Sequence, residues 1–181
     1  MELAHVTDLV LTTATLLLWA LLLSTFLVCL VHVKTRQQVA ALIEKRGVVI
    51  ALFLVTAATA SSLWYSEVVG FDPCRLCWYQ RIAMFPMVFI LVGAMIDKTR
   101  RVVVYTAPLL AIGLIIAVYH WLLQFGFISK SLDCGVVGQS SSCSGRWVVE
   151  YGFVSIPFMA GTIFFTTLLV LLIQARVRSN K

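Results

Sequence analysis

Cysteines are the residues of this sequence with the clearest capacity for chemistry. Cys74 and Cys77 form a Cys-X-X-Cys pair, and Cys134 and Cys143 form a second pair with eight residues between them. A Cys-X-X-Cys on a helix brings two sulfurs within one turn, where a labile disulfide can close and open. Cys29 stands alone among apolar residues, where a free cysteine packs as a small hydrophobe. The four paired cysteines are therefore the candidates for redox chemistry.

The residues around the Cys-X-X-Cys suit a reactive thiol. Asp72 is a good N-cap and Pro73 a good first helical residue, so we predict a helix with Cys74 in its first turn. The helix dipole and the unpaired N–H groups there would favour the thiolate form of Cys74. Arg81 follows Cys77 by four residues and so shares its helix face. Its permanent cation could stabilise a thiolate or hold an anionic ligand.

Spacing alone leaves several alternatives open for the two pairs. The Cys-X-X-Cys could be a structural disulfide or half of a zinc site, although zinc sites usually add a second tight pair. Haem attachment would need a histidine directly after Cys77, where Trp78 stands. Cys134 and Cys143 could form a structural bridge in their loop, or an exposed disulfide open to attack by a partner's thiolate. A four-cysteine metal site and a non-enzymatic subunit with two structural disulfides also fit.

The composition indicates that a membrane protein must position these cysteines. Of the 181 residues, 61% are hydrophobic and 12% charged, whereas a soluble domain is about 25% charged and a disordered chain has low hydrophobicity. Runs free of formal charge, together with a helix starting near Cys74, predict five spans. They must be helices, because backbone groups in lipid need internal partners and no alternating barrel pattern appears. The predicted spans are 9–33, 47–66, 74–96, one within 102–129, and 155–175.

Basic residues predict the orientation of these spans. Ten of the fourteen Lys and Arg residues fall in segments 34–46, 97–101 and 176–181, which five spans place on one side. The positive-inside rule makes that side cytoplasmic, with the N-terminus outside. The paired cysteines then lie outside, where bacterial and secretory compartments allow disulfides to persist. The net charge of +6 is explained by topology and gives no reason to expect nucleic-acid binding.

Two further segments have weaker signals. The run 9–33 could instead be a signal peptide, but it exceeds an apolar core of about 7–15 residues and no basic segment precedes it. Segment 124–154 contains several Gly and Ser residues and is predicted to be a flexible outer loop. Most of the aromatic residues near the outer helix ends, a group that includes Tyr65, are expected to form an interfacial belt.

The run 66–81 also resembles a known family. Its centre reads CRLCWYQR and resembles the DsbB family of bacterial disulfide-bond formation proteins, most closely the BdbC-like branch. The second cysteine pair and the following segment 150–157 resemble the same branch, and the likeness covers roughly residues 48–175. It implies an all-α membrane protein: a four-helix transmembrane bundle, to which this chain adds one N-terminal transmembrane helix.

This resemblance implies electron transfer from a DsbA-like thiol oxidase, a secreted or membrane-anchored thioredoxin-fold protein, to a quinone of the bacterial cytoplasmic membrane. The partner would attack Cys134 to form a mixed disulfide, and Cys143 would resolve it and pass electrons to Cys74. Cys77 would lie beside the quinone, either ubiquinone or menaquinone, and Arg81 would stabilise that thiolate and the reduced quinone. The loop pair is closer together than in the best-known members, so the order of exchange stays open.

We expect residues 1–46 to hold the extra helix and a connector, 47–176 the bundle with redox loop 124–154, and 177–181 the tail. His120, near the outer end of the fourth span, is a candidate for a hydrogen bond to the quinone, because ionisable residues in spans are commonly functional. An enzyme resembling vitamin K epoxide reductase would also couple cysteine pairs to quinones. In that family the loop cysteines precede the Cys-X-X-Cys, which is the reverse of the order here.

Overall fold

The computed structural model describes residues 2–97, 102–128 and 143–179, and these form five long helices, one π-helical turn and one short hairpin. All five helices are long and apolar enough to cross a membrane, so the prediction of an all-α protein with five spans is confirmed. The elements are α1 (Glu2–Val31), α2 (Val33–Leu63), a π-helical turn (Trp64–Val68), α3 (Arg75–Ile96), α4 (Val102–Gln124), β1 (Val149–Glu150), β2 (Val154–Ser155) and α5 (Ile156–Ser179).

Several helices extend beyond the charge-free runs that predicted them. α2 begins at Val33, so the segment 34–46, expected to be a connector, is helical. Its Lys, Arg, Gln and Ala residues are good helix formers, and a helix need not end where the lipid ends. Only His32, with an extended backbone (φ −112°, ψ 106°), separates α1 from α2. Apolar runs therefore located the spans but not the helix ends.

Helices α2 to α5 form the packed bundle. Its core includes Met87 and Leu91 from α3, Leu110 from α4 and Phe164 from α5, all fully buried. Gly113 allows α4 and α5 to approach closely, because a Cβ at this position would overlap the ring of Phe164. Small residues at such contacts are typical of membrane helices, which associate through close packing rather than through a hydrophobic driving force.

α1 lies against α2 and α5 at the edge of the bundle. None of the described residues in the most apolar stretch of α1 is buried, whereas 44% of the residues in the most apolar stretch of α5 are buried. The indole of Trp19 donates to Thr162 Oγ1 at 3.0 Å and stacks on Phe165. Tyr65 donates its hydroxyl proton to Asp8 Oδ1 at 2.7 Å. Tyr65 is thus buried rather than part of an interfacial belt, because α1 covers it and supplies an acceptor.

The two ends of the bundle differ in chemistry. Cys74, the π-helical turn and the β1–β2 hairpin lie at one end. At the other end, Gln174 and Arg178 of α5 both donate to the backbone oxygen of Glu44, each at 3.0 Å. The basic segment 34–46 is therefore remote from the cysteines, although the orientation in the membrane stays a prediction. The predicted loop 124–154 is described only at 124–128 and 143–154.

Candidate functional site

Cys74 and Cys77 meet where α3 begins. Cys74 is the N-cap, with an extended backbone (φ −67°, ψ 170°), and its Sγ donates to Cys77 Sγ at 3.6 Å. The first turn of α3 therefore brings the two sulfurs into contact, as the spacing predicts. The cap itself was predicted wrongly: the helix begins at Arg75, two residues later than a cap at Asp72 would place it.

Cys143 completes a cluster of three cysteines. It is 1% exposed, is buried together with Cys74 and Leu123, and makes a side-chain contact with Cys74. A residue of the loop predicted between α4 and α5 is thus packed against the first residue of the Cys-X-X-Cys. Cys134 lies outside the described residues, and Cys29 lies half-buried on α1, outside this cluster.

The environment of Cys74 does not favour the thiolate predicted from its place at a helix start. The contact with Cys143 lowers the pKa of Cys74, but the contact with Cys77 and burial raise it more, so that the pKa rises from 9.0 to about 12. Burial disfavours the charged form of a thiol. With only 5% of its surface exposed, Cys74 is predominantly a neutral thiol near neutral pH when the pair is reduced.

His120 lies between the cysteines and is 2% exposed. Gln80 Nε2 lies 3.2 Å from His120 Nδ1, and because the amide nitrogen can only donate, we assign the imidazole proton to Nε2. Nε2 then donates to the backbone oxygen of Cys143 at 3.1 Å. The same nitrogen lies 3.7 Å from Cys74 Sγ. His120 thereby joins α3, α4 and the segment that carries Cys143.

A cavity of about 390 Å³ opens beside this cluster. Cys77, Arg81 and His120 lie in its wall, and most of the remaining lining is apolar. Its size falls within the range of about 300–1,000 Å³ that is usual for small-molecule sites, and an apolar lining with a few polar groups is also usual there. The cavity can therefore accept a molecule with a polar head and an apolar body.

Arg81 is held rigidly in the wall of this cavity. Its Nε donates to Ser62 Oγ at 2.9 Å and its Nη2 donates to Ser62 O at 2.7 Å. The guanidinium carbon lies 5.4 Å from the ring centroid of Trp78, a favourable cation–π distance. Arg81 and Cys77 also interact electrostatically. The structure thus brings together the two residues that helical spacing placed on one face.

Chemically, this arrangement can exchange disulfides or bind a soft metal ion. One ligand atom each from Cys74, Cys77 and His120 lies within 4.8 Å of the others. Cysteine sulfur and imidazole nitrogen are the ligands that zinc prefers, so the metal alternative is compatible with the cluster. Sequence reasoning missed Gln80 and Ser62. The place of Gln80 in the site could have been predicted, because Gln80 follows Cys77 by three residues and shares its helix face. No feature of the sequence indicates the role of Ser62.

Comparison with known proteins relates the chain to disulfide formation. The family model described as "Disulfide bond formation protein DsbB" matches residues 44–174. "Probable disulfide formation protein C 1" of Bacillus anthracis is 42% identical over 111 residues, which cover 60% of this chain and 77% of that protein. "Probable disulfide formation protein C 2" of the same organism is 38% identical over 141 residues, covering 77% and 99%. "SPbeta prophage-derived disulfide bond formation protein B" of Bacillus subtilis (strain 168) is 40% identical over 112 residues, covering 62% and 74%. No solved structure matches the chain significantly.

Proposed function

The chain belongs to the DsbB family of disulfide bond formation proteins, a family of integral membrane proteins, and we propose that it passes electrons from a DsbA-like thiol oxidase to a membrane quinone. The observation that carries this proposal is the contact of Cys143 with Cys74, while Cys77 lines a cavity together with Arg81. Cys74 thus contacts the loop cysteine, and both cysteines of the Cys-X-X-Cys border a space that a small acceptor could enter.

The proposed electron transfer begins with two disulfides, Cys134–Cys143 and Cys74–Cys77. A partner thiolate attacks Cys134, the loop disulfide breaks, and Cys143 leaves as a thiolate. Cys143 attacks Cys74, which breaks the second disulfide and releases Cys77 as a thiolate. The partner's second thiol frees Cys134, and Cys134 then attacks Cys143, which breaks the Cys143–Cys74 bond and releases Cys74 as a thiolate. The partner has lost two electrons, and Cys74 and Cys77 have gained them.

The contacts of the cluster explain how Cys74, rather than Cys77, would receive the attack. Sulfurs exchange only when they touch, and the contact of Cys143 is with Cys74. Attack at Cys74 makes Cys77 the leaving group, and a better stabilised thiolate leaves faster. The cation of Arg81 acts on Cys77 from the cavity wall. The negative charge would thereby be held on Cys77, in the wall of the cavity and close to Arg81.

The cavity suits a quinone ring in both size and chemistry. Its lining is mainly apolar, as an isoprenoid tail requires, and Arg81 and Gln80 provide polar groups for a ring. When bound, a quinone would accept two electrons and two protons, which returns Cys74 and Cys77 to the disulfide. Arg81 would hold an oxygen of the ring and balance the charge of the Cys77 thiolate. His120 would form part of the cavity wall while its hydrogen bond holds the backbone of Cys143 in place.

The location proposed for this activity is the bacterial cytoplasmic membrane, with the cysteine end outside. A secreted thioredoxin-fold partner cannot enter lipid, and a quinone does not leave it. A loop disulfide beside a membrane disulfide connects these two phases. The relatives described above come from Bacillus species, which supports a bacterial membrane.

A redox titration combined with trapping tests the proposed thiol chemistry. The oxidised protein is mixed with a reduced DsbA-like partner whose second active-site cysteine is serine. We expect a mixed disulfide with Cys134 or Cys143, and we expect both pairs to open at potentials above about −300 mV, where structural disulfides resist reduction. Disulfides that stay closed at such potentials and never capture the partner would identify a structural subunit instead. Metal analysis of the reduced protein checks the remaining alternative.

A further inference from the structure

One face of α1 lines the cavity that contains Cys77 and Arg81. The residues are Leu11, Ala14, Thr15 and Leu18, whose spacing is that of one helix face. α1 lies outside residues 44–174, the part of the chain that matches the family model. We infer that α1 is an outer wall of the quinone cavity and that its inward face limits how tightly the cavity binds a quinone. This inference rests on the proposed function.

The apolar character of α1 on all sides agrees with a position between cavity and lipid. Its most apolar stretch has a mean hydropathy of 2.5, and away from the cavity it exposes Val6, Leu9 and Leu27. A helix that is apolar all round needs an apolar environment on each side. Lipid supplies that environment outside, and the tail of a bound quinone would supply it inside.

Small side chains create the space beside α1. The α2 residues lining the cavity include Ala57, Ala58 and Ser61, and α1 contributes Ala14 and Thr15. Large residues at these positions would fill the gap between the two helices. The width of the cavity therefore depends on side-chain volume at positions of α1 such as 14.

Contacts at both ends hold this stretch of α1 in place. Asp8 precedes it and accepts a hydrogen bond from Tyr65, while Trp19 follows it and donates to Thr162. Thr13 and Tyr151 add a hydroxyl pair at 3.0 Å. With anchors on both sides, residues 11–18 form a defined wall even though little of α1 is buried.

The test compares two identical substitutions in the same helix. Both alanines are exposed in the structure, but Ala14 lines the cavity and Ala20 does not. Ala14→Phe should weaken equilibrium binding of a short-chain quinone about tenfold and raise its apparent KM to the same extent. Ala20→Phe should leave both quantities unchanged. Thiol exchange with the partner in the absence of quinone should be equal in both variants.

A photoreactive azidoquinone provides a second readout that needs no variant. Lys34 is the first lysine or arginine of the chain, so trypsin releases all of α1 in one peptide. We expect label on this peptide, competed by unlabelled quinone. Equal quinone binding by Ala14→Phe and Ala20→Phe, or label confined to peptides from α3 to α5, would overturn the inference. An unmodified protein that neither binds nor reduces quinone would instead overturn the proposed function.

Discussion

The backbone oxygen of Cys143 accepts a hydrogen bond from His120 Nε2 at 3.1 Å, and this bond holds the loop cysteine against the start of α3. The other ring nitrogen is satisfied by Gln80 of α3. A buried imidazole with both nitrogens bonded has a fixed orientation. His120 is therefore suited to position Cys143 for exchange with Cys74, in addition to lining the cavity.

Replacing His120 should slow transfer between the two cysteine pairs. His120→Leu leaves Gln80 and the oxygen of Cys143 without their partner, and a buried group that loses its hydrogen bond costs about 1–3 kcal/mol. We expect reduction of Cys74 and Cys77 to slow at least about tenfold, since about 1.4 kcal/mol corresponds to a factor of ten. Rapid acid quenching, alkylation and mass spectrometry measure this step.

His32→Leu provides a matched control for that experiment. His32 lies exposed at the break between α1 and α2, away from the cysteines, so its replacement should not change the transfer rate. Formation of the mixed disulfide with the partner should stay normal in both variants. A normal transfer rate in His120→Leu would show that Cys143 does not depend on this hydrogen bond.

Removing the cation from the cavity should impair use of quinone. Arg81→Ala removes both the charge near Cys77 and the guanidinium that Ser62 orients. We expect the apparent KM for quinone to rise about tenfold or more, corresponding to about 1.4 kcal/mol. Arg81→Lys keeps the charge but loses the planar fork, so its KM should lie in between.

Arg75→Ala is the matched control for Arg81, because Arg75 is exposed on the same helix and does not line the cavity. Its quinone KM should equal that of the unmodified protein. Steady-state kinetics with varied quinone and saturating reduced partner separate KM from kcat. An unchanged KM in Arg81→Ala would remove this residue from the proposed quinone site.

The raised pKa of Cys74 predicts an unusual pH dependence of alkylation. Because the pKa is about 12 rather than 9.0, the reduced thiol stays protonated at a pH where an ordinary cysteine is already a thiolate. Its reaction with iodoacetamide should keep rising about tenfold per pH unit above 9, since only the thiolate reacts. Glutathione in the same solution should level off near its own pKa.

Peptide mass spectrometry of the reduced protein at a series of pH values gives this slope. The dependence of the alkylation rate on pH reports the pKa of Cys74. The absolute rate does not, since burial alone slows alkylation at every pH. Cys77→Ala removes one cause of the raised pKa and should move the plateau to lower pH. A plateau near pH 9 in the unmodified protein would contradict the environment described for Cys74.

Close packing of α4 on α5 predicts opposite effects for two Gly→Ala substitutions. At Gly113 the added methyl would overlap Phe164, whereas at Gly93 it would meet no described atom within 4 Å. Overpacking costs about 1–3 kcal/mol, while Ala in a helix is favoured over Gly by about 0.5–1 kcal/mol. Gly113→Ala should lower the Tm in detergent and Gly93→Ala should not. Equal Tm values would mean that the two helices can separate at no cost.

Much of the fold can be predicted from the sequence because the membrane imposes strong constraints. A span needs a long apolar run, so charge-free runs located four of the five helices, and a shorter run with a helix start near Cys74 located α3. Helix ends are less constrained, since residues 34–46 are charged yet continue α2. Tyr65 shows the same limit: its position near a helix end suggested the interface, but a partner from a distant helix buries it.

Some features of the candidate site could be predicted from the sequence, and others depend on packing between helices. Cys77 and Arg81 were predicted because their spacing lies within one helix, where geometry follows from sequence. The contacts of Arg81 with Ser62 and of His120 with Cys143 depend on how separate helices and loops are rotated against each other. The wall formed by α1 depends on the same packing, so nothing in that helix alone indicated it.

Anaerobic quinone reduction by variants that each lack one cysteine tests the central claim most directly. The purified protein is mixed with excess quinone and a limited amount of reduced DsbA-like partner, and quinone loss is followed by absorbance. The unmodified protein and Cys29→Ser should reduce one quinone for each partner disulfide formed, because Cys29 lies outside the cysteine cluster. Cys77→Ser should reduce none. Quinone reduction by Cys77→Ser at the unmodified rate would contradict an electron path through the Cys-X-X-Cys pair.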